Sequence, residues 1–134
     1  QSGRIGEMNL RNDMVLPLTP TEYFARNVWM GVSFPSPRET KAMRKIGLDR
    51  VMWGSDYPHN EGTTPFSKES LRRTFHDWTP EELRQVLAGT AADLYDFDLD
   101  VLDPLGAEFG PTVEEIATPL DEIPKGAFSP AFYR

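Results

Sequence analysis

The residues best suited to chemistry lie in one short stretch, residues 49–59, with the sequence DRVMWGSDYPH. The apolar run Val51–Trp53 is too short for a helix and is typical of a buried strand. Small and polar side chains follow it directly, namely Gly54, Asp56, Tyr57 and His59. Because α/β proteins place their chemistry at the carboxyl ends of strands, the pattern predicts a site with Asp56 at the strand end.

The same residues also suit an ordinary turn without a function. An Asp side chain readily accepts a hydrogen bond from a nearby backbone N–H in an Asx-turn. Pro58 has no backbone N–H to donate and would end the strand in either case. The residue types alone therefore leave both interpretations of Asp56 open.

The helices around this stretch are indicated by their capping signals. A Ser or Thr followed three residues later by Glu predicts a helix start. Four such pairs begin at Thr19, Ser36, Thr79 and Thr112. Ser67 and Thr90 predict two further starts, while Gly47 and Gly89 predict helix ends. The chain is therefore expected to be rich in short, individually capped helices.

Two strands are predicted, at residues 27–34 and 51–53, with the helix after Ser36 between them. The first strand is apolar on both faces and rich in β-branched and aromatic residues, which suits a covered parallel sheet. A strand, a helix and a strand in this order form a βαβ unit, which is parallel in nearly all cases. Residues 1–14 show no sustained period and predict a loop. The expected fold class is α/β.

The segment Ile46–Thr64, with the sequence IGLDRVMWGSDYPHNEGTT, resembles the last barrel strand and following loop of the amidohydrolase-related family. This family includes the aminocarboxymuconate-semialdehyde decarboxylase branch of the metal-dependent hydrolases and decarboxylases. A helical segment ending in AADLYDFD is similar to the family's closing helices, so the resemblance covers roughly residues 15–100. It implies the C-terminal portion of a (β/α)₈ TIM-barrel-like metal-dependent hydrolase, with a small organic molecule as substrate.

The resemblance also implies roles for individual residues. Asp56 matches the family's Asp that binds or lies beside a catalytic divalent metal, for which zinc is the expected ion. Asp56 would then act in catalysis, either as metal ligand or by taking a proton from the attacking water. Trp53, Tyr57 and the loop of residues 60–66 are expected to shape the wall of the site. We expect His59 to contact the substrate, because the family's pattern does not make it a metal ligand.

The number of histidines sets a limit on this interpretation. A catalytic zinc takes three or four nitrogen and oxygen ligands, whereas the chain has only His59 and His76. The family's His-x-His pair has no counterpart, and the helical pattern around His76 favours a surface position. We therefore expect the chain alone to hold no stoichiometric zinc and to be inactive. The alternative to an enzyme is a non-catalytic structural fragment that self-associates as a homo-oligomer.

Length and composition exclude several classes of protein. A (β/α)₈ barrel takes about 250 residues, so a chain of 134 residues is expected to be part of a longer enzyme. The absence of cysteine removes disulfides and thiolate chemistry and is consistent with the cytoplasm. No apolar run approaches the roughly 20 residues of a membrane span. The net charge of −7 disfavours nucleic acid as a partner.

The last part of the chain, residues 98–134, differs in character from residues 1–97. It has eight acidic residues and two basic ones, so it carries −6 of the chain's net charge. Frequent Pro and Gly predict an irregular acidic extension in which only residues 112–117 are helical. Eight large apolar residues are expected to anchor it on the helices at 67–95 or on a second copy of the chain. They are Leu102, Leu105, Phe109, Ile116, Ile123, Phe128, Phe132 and Tyr133.

Overall fold

The structure, a computed structural model, describes residues 16–133 and shows a mixed α/β arrangement. The loop expected at residues 1–14 lies outside these residues. Within them the strands are β1 (Met30–Ser33) and β2 (Val51–Gly54). The α-helices are α1 (Pro20–Asn27), α2 (Thr40–Ile46), α3 (Ser67–Phe75), α4 (Pro80–Arg84), α5 (Thr90–Tyr95), α6 (Leu99–Phe109) and α7 (Val113–Ala117). No helix in this part of the chain is long and apolar enough to cross a membrane.

The two strands pair in parallel, which confirms the βαβ unit. Residues Met30 to Ser33 lie opposite residues Val51 to Gly54 in order. Because side chains alternate along a strand, Val32 and Trp53 share one face of the sheet, and both pack against the core. The opposite face carries Gly31 and Ser33 on β1 and Met52 and Gly54 on β2. A Cβ atom at Gly31 or Gly54 would meet no neighbour within 4 Å, so the described residues leave this face open.

The main core lies between the other face of the sheet and the helices. Its buried residues are Met43, Val51, Leu71, Phe75, Trp78, Leu83, Val86 and Ile116. The rings of Phe75 and Trp78 meet edge to face at 4.7 Å. The guanidinium of Arg44 on α2 lies 4.4 Å from the centre of the Trp78 ring and forms an ion pair with Glu82 on α4. The Arg44 contacts connect α2 to α4 at the edge of the core.

Three of the predicted helix starts are confirmed as complete capping boxes. Thr19, Thr79 and Thr112 each accept a hydrogen bond from the backbone N–H three residues later. The Glu at that third position accepts from the backbone N–H of the capping Thr in each case. The Thr and the Glu of each box are only three residues apart in the sequence, so tertiary packing is not needed to form the motif.

Two other predicted starts are wrong in detail. Ser36 donates both its N–H and its hydroxyl to the Glu39 carboxylate, but the helix begins only at Thr40 because residues 37–39 form a turn. Ser67 is the first residue of α3 rather than its cap, which is Phe66. Its hydroxyl pairs instead with the hydroxyl of Thr63 at 2.8 Å.

Gly89 does not end a helix, contrary to its prediction. A π-helical turn over Gln85–Gly89 joins α4 directly to α5. The hydroxyl of Thr90 accepts from the Gln85 side chain at 2.8 Å and donates to the carbonyl of Leu48 at 2.8 Å. These bonds stabilise the helix where it continues through Gly89 into α5, so tertiary contacts override the low helix propensity of glycine.

The prediction of an irregular segment after Asp98 is wrong for residues 99–109, which form α6. The Asp98 carboxylate accepts from the backbone N–H groups of Asp100 and Val101, at 3.0 and 3.4 Å. This is a normal N-cap, and it starts the helix even though Pro104 lies inside it. The large apolar residues of α6 stay exposed, including Phe109 at 73%.

The rest of the tail packs along α3, which confirms one of the two expected positions. Arg72 donates to the carbonyl oxygens of Thr118 and Pro119, at 2.9 and 2.7 Å. Of the eight expected anchors, only Ile116 and Phe132 are buried. The other six are exposed, namely Leu102, Leu105, Phe109, Ile123, Phe128 and Tyr133. Anchoring within the chain is therefore confirmed for two residues, and for the other six the expected anchoring on a second copy stays a prediction.

Candidate functional site

The candidate site begins where β2 ends. Asp56 follows Gly54 by two residues and adopts φ +62°, in the left-handed region that Asp tolerates better than most residues. The backbone N–H of His59 donates to the carbonyl of Asp56 at 2.8 Å and closes a tight turn. The Asp56 carboxylate faces the imidazole, with Oδ1 3.2 Å from Nδ1 of His59. In this turn the Asp56 side chain therefore faces the imidazole of His59 and not a backbone N–H, as it would in an Asx-turn.

Glu61 completes a three-residue cluster with Asp56 and His59. One ligand atom of each residue lies within 4.8 Å of the ligand atoms of the other two. The Asp56 side chain is 21% exposed and that of His59 is 67% exposed, so the cluster is open to ions and small molecules. Sequence reasoning missed Glu61, although the spacing Asp-x-x-His-x-Glu was its signal.

The donor atoms of this cluster suit a divalent metal. Two carboxylates and one imidazole offer oxygen and nitrogen ligands, and catalytic zinc sites use three such protein ligands and keep one position open. Harder divalent ions also accept carboxylate oxygen. The described residues therefore fit the kind of ion that the family resemblance implies, and they do not select one metal.

The loop after His59 folds back onto the strand end. The backbone N–H of Thr63 donates to the carbonyl of Ser55 at 2.9 Å, and that of Gly62 donates to the carbonyl of His59 at 3.1 Å. A Cβ atom at Gly62 would lie 2.7 Å from the Ser55 oxygen and 3.0 Å from the oxygens of Asp56 and His59. Only glycine fits there, and this close approach fixes the loop beside the cluster.

The remaining predicted site residues lie in two different places. Tyr57 is 74% exposed and adjoins Asp56 along the turn. Trp53 lies on the covered face of the sheet and packs against the core. It also lines a groove of about 570 Å³ between α4 and α6, whose rim carries an ion pair between Arg84 and Asp103. The structure therefore does not bring Trp53 to the cluster, and its expected substrate contact stays a prediction.

His76 lies at the end of α3 and is exposed. Its predicted position on the surface is therefore confirmed. Among residues 16–133, the grouping of candidate metal-ligating side chains consists of Asp56, His59 and Glu61, without His76. The chemistry of the site thus depends on one imidazole and two carboxylates.

Comparison with known families places this site in a class of proteins. The family model described as amidohydrolase matches residues 22–97, which is more than half of the chain. The match spans both strands, the candidate cluster and the helices up to α5. The chain therefore belongs to the amidohydrolase family, which is metal-dependent, and the resemblance inferred from the sequence is confirmed. Comparisons with curated proteins and with solved structures give no match.

Proposed function

We propose that this chain supplies part of the active site of a metal-dependent hydrolase or decarboxylase that acts on a small organic molecule. The observation that carries the proposal is the cluster of Asp56, His59 and Glu61 directly after a parallel strand. In this proposal Asp56 holds a divalent ion, with zinc as the expected metal. β1 and β2 are parallel neighbours, as in a TIM-barrel-like enzyme, and by the family resemblance they would be its last two strands.

The open face of the sheet supports the placement in a barrel. The side chains on this face alternate with those that pack on the helices, as they do in barrel strands. Asp56 follows the end of β2 by two residues, at the edge of the sheet where this open face ends. Further strands in the complete enzyme would cover this face and supply the family's other ligands.

The three residues of the cluster have different roles in this proposal. The ion, when bound, would act as a Lewis acid and polarise an oxygen of the substrate. The Asp56 carboxylate either holds the ion or accepts a proton from an attacking water, which can reach it because the side chain is 21% exposed. The imidazole of His59, 3.2 Å away, orients that carboxylate, and its exposed ring can contact the substrate. Glu61 adds a third donor from the loop.

A titration of the full chain with zinc tests the proposal. Because these three donors are partly exposed, they should bind zinc weakly and reversibly, and the chain as purified should hold no stoichiometric zinc. Replacing the carboxylate, in Asp56→Asn, should weaken binding at least about tenfold, as expected for a lost ligand or its close support. The matched control is Asp93→Asn, which makes the same chemical change on the exposed side of α5.

Two results would contradict the proposal. One is a chain that shows no saturable binding of zinc or manganese. The other is an Asp56→Asn variant that binds as well as the Asp93→Asn control. Either result would favour the alternative, a non-catalytic structural fragment that self-associates.

A further inference from the structure

A bulky residue in a strained conformation lies at the end of the other strand. Phe34 follows β1 directly and has φ +41°, a region that aromatic residues rarely adopt. Its backbone N–H donates to the carbonyl of Gly54 at 3.0 Å, two residues before Asp56. A residue in this conformation persists only where the surrounding structure holds it.

The group that holds Phe34 comes from the tail. Phe132 is 1% exposed and forms a small apolar cluster with Ala127 and Ala131. Phe34 and Phe66 both pack against this cluster. Phe34 ends β1, and Phe66 ends the loop that contains Glu61, so the tail contacts both segments that border the candidate site.

A short series of hydrogen bonds connects Phe66 to the site. The backbone N–H of Phe66 donates to the carbonyl of Thr63 at 2.7 Å. The backbone N–H of Thr63 donates in turn to the carbonyl of Ser55, the residue before Asp56. Thr63, the middle residue of this series, is 1% exposed, so water has little access to it. A displacement of Phe66 would therefore reach the strand end through two bonds.

The tail segment is itself fixed to the body of the protein. Arg73 on α3 donates to the carbonyl of Ala131 at 3.2 Å. The phenol of Tyr133 donates to the carbonyl of Ala127 at 2.7 Å and closes the segment on itself. These two bonds hold the segment that carries Phe132 in place beside Phe34 and Phe66.

We infer that Phe132 is a positioning residue for the Asp56 cluster. Phe132 is not one of the three donors, and it acts through the packing of its cluster against Phe34 at the end of β1 and Phe66 at the end of the loop. The effect on metal affinity rests on the proposed function, whereas the effect on the order of the loop does not. The C-terminal tail is therefore part of the site's support as well as of the fold.

The test compares two buried tail residues in the full chain. Phe132→Ala removes the support, and Ile116→Ala is the matched control, since Ile116 is 3% exposed but packs in the main core. Amide hydrogen exchange of His59, Gly62, Thr63 and Phe66 reports on the loop. We expect Phe132→Ala to raise these exchange rates at least about fivefold beyond the rise in Ile116→Ala, relative to the amides of α5. The affinity for zinc should likewise fall more in Phe132→Ala than in Ile116→Ala.

A conservative variant keeps the test decisive. Phe132→Leu retains an apolar side chain, so it should restore most of the loop's protection and most of the zinc affinity. If Phe132→Ala does not fold, Phe132→Leu is compared with Ile116→Val in the same way, with a smaller expected rise in loop exchange. The inference is wrong if the Phe132 variants and their Ile116 controls change loop exchange equally. If the wild-type chain binds no zinc, the proposed function fails, and the exchange result still decides the role of Phe132.

Discussion

Oδ1 of Asp56 and Nδ1 of His59 lie 3.2 Å apart across a turn that one backbone hydrogen bond closes. This contact places the one imidazole of the cluster beside the residue that the family resemblance assigns to the metal. His59 was expected to contact the substrate, and its position beside Asp56 and Glu61 adds the alternative of a metal ligand. The first prediction below separates these two roles of His59.

The first prediction concerns His59→Ala. If the imidazole is a ligand, its loss should weaken zinc binding by the chain at least about tenfold. Calorimetric titration of the variant and of a His76→Ala control measures this, because His76 is the chain's other histidine and lies outside the cluster. Unchanged affinity in His59→Ala would leave His59 with the substrate role alone.

The second prediction concerns Glu61→Gln, which keeps the size of the side chain and removes its charge. Glu61 is exposed, so the change should leave the stability of the fold within about 0.5 kcal/mol of wild type. Zinc affinity should fall, because a neutral amide is a weaker ligand for a divalent cation than a carboxylate. Equal affinities for zinc before and after the change would remove Glu61 from the site.

The third prediction uses the close approach at Gly62. Gly62→Ala places a methyl group 2.7 Å from a backbone oxygen, so the loop or the strand end must shift. We expect a loss of about 1–3 kcal/mol in the free energy of unfolding, measured by urea denaturation. Gly31→Ala is the control, because its added methyl group would meet nothing within 4 Å. Equal stabilities of the two variants would contradict the close approach.

The fourth prediction concerns the ion pair of Arg44 and Glu82, with bonds of 2.8 and 2.9 Å. The hydrogen bond from Arg44 lowers the pKa of Glu82 below its usual value, despite partial burial. The stabilisation is therefore present above the unfolded-state pKa, about 4.3, and is lost as the pH falls through the lower folded-state pKa. For a partly exposed pair we expect it to be worth about 1 kcal/mol.

The measurement for this pair is the free energy of unfolding at pH 7 and at pH 3. Glu82→Gln is the informative variant, because its amide oxygen can still accept the backbone N–H of Thr79 in the capping box. The wild-type chain should lose more stability than the variant between the two pH values. Identical losses would show that the ion pair contributes nothing to the acid sensitivity of the fold.

Local features of this chain could be predicted from the sequence, and long-range ones could not. The capping boxes at Thr19, Thr79 and Thr112 depend on two residues three positions apart, so the sequence contains the whole motif. The continuation of the helix through Gly89 depends on a bond from Thr90 to Leu48, 42 residues away. No pattern around Gly89 indicates that bond.

In the candidate site, too, local features could be predicted from the sequence and long-range ones could not. Asp56 could be identified because a strand end and a family resemblance both point to it. The spacing Asp-x-x-His-x-Glu makes Glu61 a candidate, but its place in the cluster depends on the loop folding back at Gly62, a close approach that the spacing alone does not establish. Strand alternation predicts the face on which Trp53 lies, because neighbouring side chains along β2 point to opposite sides of the sheet.

The last prediction concerns removal of the tail in two steps. A chain ending at residue 117 loses the cluster around Phe132 and keeps Ile116, whereas a chain ending at residue 97 loses both. Burial of each such side chain contributes about 1.5–3 kcal/mol, so the melting temperature should fall at each step. Light scattering of the same samples tests the proposed homo-oligomer, because arm exchange between copies would make the full chain a dimer and the shorter chains monomers. Unchanged melting temperature and unchanged mass in both truncated chains would show that the tail adds nothing to the fold or to assembly.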